Sequence, residues 1–207
     1  MKTKLISITP EAETLIMYCA RVSNPANQTS ENPQLLKYCI YNKHWSIFEM
    51  ADMTIEIETS RAIAAQILRH KSFCFQEFSQ RYAEIDESSF EEINPRRQDL
   101  NNRQNSIDDL DEDLKKDFKN DLRINQNEAF WLYQHYLNLG VAKESARFFL
   151  PLNTKTKLYM KGSVRSFIHY LQVRLDKSTQ LEHRQIAEEI QALFVKELPI
   201  LAKALEW

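Results

Sequence analysis

The chain has 207 residues, with 27 Lys+Arg against 29 Asp+Glu and a formal net charge of −2. That is one domain's length, and it lacks the bulk basicity with which a protein holds duplex nucleic acid, so no nucleic-acid partner is expected. There are only two glycines, Gly140 and Gly162, which excludes a Walker loop and a G-x-G-x-x-G fingerprint; any phosphate must be held by Arg, Lys, hydroxyls or helix N-termini.

Hydrophobic residues make up 43% of the chain, enough to bury a sizeable core. Cys19, Cys39 and Cys74 are an odd set with no close pair and no zinc spacing, so no metal is expected and a reducing, cytoplasmic compartment is. The opening apolar run is too short for a signal peptide, and no stretch approaches the ~20 apolar residues of a membrane span.

In chain order, residues 5–8 predict a short strand stopped by Pro10. Residues 11–21 predict a helix with Leu15, Ile16 and Cys19 on one side. Pro33 opens a second helix to about residue 42, burying Leu35, Leu36, Cys39 and Ile40. Residues 50–59 give the clearest strand: Ala51, Met53, Ile55 and Ile57 alternate with Asp52, Thr54, Glu56 and Glu58. Ser60 can cap a helix carrying Ile63, Ile67 and Leu68, which delivers Arg69-His70-Lys71 at its end. Residues 73–82 read as extended, and 88–105 as a polar loop, with mobility expected over about 86–107. Residues 108–139 predict a long helix that could break at Asn125, with Leu110, Leu114, Phe118 and Leu122 recurring every four residues and Gly140 as its stop. A short helix at 142–149 ends before Pro151, and 157–160 are extended. Ser163 caps a helix to about Leu175, and a last helix spans 179–204 with an interruption at Pro199.

Three polar clusters carry chemistry. In the first, Arg69-His70-Lys71 lies between an apolar helix and an aromatic-rich strand in which Glu77, Ser79 and Arg81 would share a face. An acceptor, a hydroxyl and a bidentate donor together suit a phosphorylated ligand; the alternative is a solvated strand face. In the second, Arg147 is embedded in an apolar run and needs a partner if buried, for which an internal ion pair suffices. In the third, Arg165, His169 and Gln172 form one stripe of the helix after Ser163, and Ser163, Ser166, Tyr170 and Arg174 form another. The loop from His44 to Glu49 is an ordinary connection by itself. His135 and His183 show no ligand spacing and read as surface or helix-face residues. Cys74 reads as a buried, inert thiol.

Together these clusters resemble the flavin-dependent thymidylate synthases. That family's signature is Arg-His-Arg, seven residues, then Ser; here it reads Arg69-His70-Lys71, seven residues, then Ser79, continuing to Arg81-Tyr82. Ala20-Arg21-Val22-Ser23, His44 through Glu49, Gln66, Ala146-Arg147, Leu150-Pro151-Leu152, Arg165 to Arg174, and Gln180-Leu181-Glu182-His183-Arg184 occur in the family's order. The resemblance spans roughly residues 14–195.

It implies an α+β fold, a single domain over 1–207 with a small central sheet flanked by long helices. It also implies a homotetramer whose active sites are shared between subunits. The implied reaction is methylation of dUMP to dTMP, with methylenetetrahydrofolate as carbon donor and NADPH reducing through FAD. Arg69, Ser79 and Arg174 match catalytic positions. Gln66, Arg69, Glu77, Ser79, Arg81, Arg147 and Arg174 match dUMP-binding positions. Ser23, His44, Ser46, Glu49, Arg69, His70, Lys71, Gln76, Glu77, Ser163, Arg165 and His169 match flavin-contacting positions. The chain departs from the family at Lys71, where a planar fork becomes a point charge, and at Cys74, Gln76 and Ser163. These departures keep two alternatives open: a related enzyme that hydroxymethylates dUMP, and a nucleotide- or flavin-binding module without turnover.

Overall fold

The computed structural model describes every residue except Met1, Glu31 and Ser88. Ser88, the start of the expected polar loop, therefore lies outside the described residues.

Four strands form an antiparallel sheet in the order β1-β2-β6-β3. They are β1 (Lys2–Ile8), β2 (Asp52–Ser60), β3 (Cys74–Glu77) and β6 (Lys155–Ser163). The period-two pattern is what places β2 at the centre. Met53, Ile55 and Ile57 are fully buried on one face, while Thr54, Glu56 and Glu58 stay part-exposed on the other. β2 pairs with β6 along its whole length, from Asp52 opposite Ser163 to Ser60 opposite Lys155. Against the buried face pack α6 (Val164–Arg174) and α7 (Leu181–Glu197), through Phe167, Ile168, Leu171, Ile186, Ile190 and Phe194. Helices α1 (Ala12–Ala20), α2 (Gln34–Tyr41) and α8 (Pro199–Ala204) close the same core from the side. Pro199 stands at the first turn of α8, so the interruption expected there is a helix start.

Two serines punctuate the sheet as the sequence predicts. Ser60 Oγ accepts from Ile63 N–H at 3.4 Å and opens α3 (Arg61–Ile67); Ser163 Oγ accepts from Ser166 N–H at 3.2 Å and opens α6.

The structure departs from the sequence reading in several places. The long helix α4 (Glu112–Asn138) runs unbroken through Asn125, ended by Gly140 at φ 87°. The four-residue recurrence of Leu110, Leu114, Phe118 and Leu122 is not a core stripe: Leu114 is 54% and Phe118 44% exposed. A four-residue step drifts about 40° around a helix at each repeat, so such a row winds off any one face. α4 is anchored instead by Ala129 and Tyr133, and Tyr133 joins Ile85 and Ala146 in a small second core. The region expected to be irregular contains a hairpin, β4 (Arg97–Gln98) with β5 (Ser106–Ile107). The expected short helix is one turn, α5 (Lys143–Ala146), followed by a 3-10 turn at Arg147–Phe149. The strand expected at 73–82 ends at Glu77.

Candidate active site

α3 ends on the signature. Arg69 is exposed, His70 is half-buried, and Lys71 is exposed in the turn leading to Phe73. Phe73 holds that turn, because its ring packs against Phe167 at 5.0 Å and Tyr170 at 5.9 Å. From α6, Arg174 Nε donates to His70 Nε2 at 2.9 Å. A ring nitrogen that accepts from a guanidinium carries no proton, so His70 is neutral with its proton on Nδ1. Burial is the main cause that pushes His70 down to about 4, with Arg174, His169 and Arg69 adding repulsion. Burial likewise pushes the Arg174 guanidinium down, and Arg69 repels it further.

Behind this pair lies a hydrogen-bond network, buried at His183, Tyr170 and Glu182 and exposed at Gln180, that sequence reasoning missed. His183 is fully buried, not a surface residue. It was illegible because its partners are a hydroxyl and an amide far off in sequence rather than a carboxylate or thiol at ligand spacing. His183 Nε2 lies 3.1 Å from Tyr170 Oη and Nδ1 lies 3.3 Å from Gln66 Oε1. Gln66 Nε2 donates to Gln180 Oε1 at 2.6 Å, and Gln180 Nε2 donates to Glu182 Oε2 at 2.9 Å. Glu182 is ion-paired with Arg96 at 2.8 Å, both side chains 10% exposed. Burial pushes His183 down to about 3, with Arg174 and His70 reinforcing it, and pushes the Tyr170 hydroxyl up.

On the other side of α6 is a cavity of about 480 Å³ lined by Trp45, Glu49, Ser72, Arg165, Ser166, Ile168, His169 and Gln172. The predicted stripe Arg165-His169-Gln172 faces it. Arg165 Nη1 donates to Glu49 Oε1 at 3.0 Å. Arg165 and Ser166 belong to the first turn of α6, so a cation and a hydroxyl meet at one wall, with Ser72 beside them. His44 and Ser46 are exposed beside it, flanking Trp45, and the His44 ring meets Tyr38 edge-on at 5.9 Å. Ser163 is buried as the α6 cap, its Oγ 3.1 Å from Ser166 Oγ. Ser23 lies exposed after α1 and Gln76 exposed on β3. Cys74 is exposed, contrary to the buried thiol expected, because β3 is an edge strand whose alternate residues face out.

Glu77, Ser79 and Arg81 do not share a strand face. Phe78 N–H makes the last bond to β6, at Lys157 O (2.8 Å), and residues 79–82 then turn, with Tyr82 N–H donating to Ser79 O at 3.1 Å. Glu77 accepts from Thr156 Oγ1 at 2.9 Å and pairs with Arg61 at 3.5 Å. Arg81 instead pairs with Glu144 at 3.2 Å, and Arg147 Nε donates to Glu144 O at 3.3 Å. The structure thus brings Arg81 to the side chain and Arg147 to the carbonyl of Glu144, a residue the sequence reading did not single out, while Ser79 Oγ accepts from Arg81 N–H at 3.4 Å. Arg147 has no ion-pair partner among the described residues, so its expected internal ion pair is absent there; its guanidinium lies 5.9 Å from the Phe148 ring centroid. This cluster and the His70–Arg174 pair sit at opposite ends of β3, whose four residues span about 10 Å. No hydrogen bond or ion pair joins the two among the described residues.

The family model described as thymidylate synthase complementing protein matches residues 4–200. A flavin-dependent thymidylate synthase of Synechocystis is 55% identical over 195 residues, 94% of this chain and 90% of the relative. A probable flavin-dependent thymidylate synthase of Paramecium bursaria Chlorella virus 1 is 49% identical across the full length of both chains. Among solved structures, a UMP/dUMP methylase, PolB, from Streptomyces cacaoi bound with 5-Br UMP superposes with a TM-score of 0.83 at 23% identity, covering 99% of this chain and 93% of that one, a likeness of fold. With its signature turn, its capped α6 and nearly its whole length matched by one family model, the chain belongs to the flavin-dependent thymidylate synthase family.

Proposed function

We propose that this chain methylates dUMP to dTMP, with methylenetetrahydrofolate as carbon donor, NADPH as reductant and FAD as cofactor. The observation that carries this reading is the His70–Arg174 bond at 2.9 Å, which sets the signature turn beside a half-buried cation. Arg174 is the group for a uracil carbonyl. A guanidinium fixed there stabilises the negative charge that develops when C5 of the pyrimidine acts as nucleophile. Arg147, Arg81 and Ser79 offer two cations and a hydroxyl for the phosphate, with Arg81 exchanging Glu144 for it. Gln66 offers an oriented amide to the base.

The residues present suit a flavin. The cavity of about 480 Å³ presents an aromatic edge at Trp45 and donors at Arg165, His169 and Gln172. Glu49, Arg165, His169 and the α6 cap Ser163 would hold it, with Ser23, His44, Ser46, Arg69, His70, Lys71, Gln76 and Glu77 as further contacts. When bound, FAD supplies the hydride that completes the methyl group; no protein thiol is assigned a role, including the exposed Cys74.

The family resemblance implies a homotetramer in which one dUMP touches Arg174 of one subunit and Arg147 of another. Ile124 and Trp131, both exposed and about 20° apart around α4, are the large apolar side chains there that such an assembly would cover. No helix among the described residues is long and apolar enough to cross a membrane. The three free thiols support a cytoplasmic location.

The reading is tested by single-turnover oxidation of reduced bound flavin. Oxidation coupled to nucleotide product only when dUMP and methylenetetrahydrofolate are both present is expected. A flavin that stays bound and never reacts with both substrates present would refute it.

A further inference from the structure

We propose that Glu182, acting through Gln180, is a positioning residue that fixes the orientation of the Gln66 side-chain amide. The proposal rests on the reading of Gln66 as a dUMP contact.

A side-chain amide has two nearly isosteric ends, one accepting and one donating, and only its neighbours decide which end points where. Glu182 is 8% exposed and receives Arg96 Nη2 on both oxygens, at 2.8 and 2.9 Å, so the countercharge that permits a buried carboxylate is in place. A carboxylate only accepts. The Gln180 amide must therefore turn its NH2 to Glu182 Oε2, at 2.9 Å, and its oxygen to Gln66. That oxygen can only receive the Gln66 NH2, at 2.6 Å, which leaves Gln66 Oε1 facing His183. Nδ1 of His183 then carries the proton toward Gln66 Oε1, at 3.3 Å, and Nε2 accepts from the Tyr170 hydroxyl at 3.1 Å. Every group in the line has one polarity, and the acceptor-only group at its head sets it. Without that group both amides have two orientations of similar energy.

Arg96 comes from the segment before β4, and its Nε donates to Ser106 Oγ of β5 at 2.9 Å. The fold of that hairpin is thereby connected to the substrate amide.

The test uses the full chain loaded with FAD and measures dUMP affinity by calorimetry, kcat, and the melting temperature. Gln180→Leu removes the amide link at an exposed position and leaves Arg96 on Glu182. It is expected to weaken dUMP binding about fivefold with kcat little changed, the scale of one net hydrogen bond. Glu182→Gln is expected to do the same and also to lower the melting temperature, because the buried pair is lost. In the Gln180→Leu background, Glu182→Gln should lower the melting temperature again and add nothing to the loss of dUMP affinity. Multiplying affinity losses, or a Gln180→Leu variant that binds dUMP normally while Gln66→Ala binds it weakly, would overturn the relay alone. A Gln66→Ala variant with unchanged dUMP affinity would overturn the substrate reading of Gln66 and the relay with it.

Discussion

Burial sets the protonation of two histidines packed edge to face beside the Tyr170 ring. The His70 and His183 rings are 6.3 Å apart, and Tyr170 lies 5.0 Å from the first and 5.8 Å from the second. Both are held neutral, His70 at about 4 and His183 at about 3, against an ordinary value near 6.5. Between those values the unfolded chain binds more protons than the folded one, so stability falls as pH drops below about 6.5. The melting temperature is expected to decline between about pH 7 and pH 4.5, and to decline less in His183→Phe, whose parent titration is gone. A variant with the same acid slope as the parent would contradict the burial of a neutral His183. At neutral pH the same variant should cost about 1–3 kcal/mol, because the Tyr170 hydroxyl loses its acceptor. Arg174→Ala is expected to weaken dUMP binding by about 2–4 kcal/mol and to raise the His70 pKa part of the way to its ordinary value, burial being the larger cause. Titration by NMR and dUMP calorimetry read the two effects separately, and unchanged dUMP affinity would remove Arg174 from the site.

At the scale of elements, the parts legible in the sequence are those whose signal is local. The alternation of β2 and the serines that open α3 and α6 need only a few neighbouring residues, and all are where the pattern puts them. The polar stripe of α6 was legible for the same reason, since 100° per residue places Arg165 and His169 together. The turn at 79–82, the role of Glu144 and the burial of His183 were not legible. Their partners lie far along the chain: Arg81 and Glu144 are 63 residues apart, and His183 and Gln66 are 117 apart. No periodicity reports such a pairing. Gly162 shows how tightly the elements meet behind the signature. A Cβ there would lie 2.5 Å from one Phe73 ring carbon and 2.8 Å from another. Phe73 is itself boxed by Phe167 and Tyr170, so it cannot withdraw freely. Gly162→Ala is therefore expected to cost about 1–3 kcal/mol and to loosen flavin retention by displacing the His70 turn. A melting temperature and flavin content equal to the parent's would contradict that packing. Ser60→Ala, by contrast, should cost about 1 kcal/mol through the lost cap, seen in denaturant unfolding, with the site chemistry intact.

At the scale of the molecule, a net charge of −2 coexists with two local concentrations of cations, Arg69, Lys71 and Arg174 at one end of β3 and Arg81 and Arg147 at the other. The family resemblance reads both as parts of one dUMP site, which the proposed assembly would complete between subunits. Trp131 is 61% and Ile124 64% exposed on α4. Trp131→Glu is expected to shift the assembly to smaller species in light scattering and to abolish turnover while the sheet and its core remain folded. A fully active monomer would contradict the shared site. The purified chain, given FAD, NADPH, dUMP and methylenetetrahydrofolate, is predicted to yield a nucleotide heavier than dUMP by one CH2 unit in mass spectrometry. A product heavier by CH2O, or dUMP returned unchanged with flavin bound, would contradict the assignment of this chain as a thymidylate-forming enzyme.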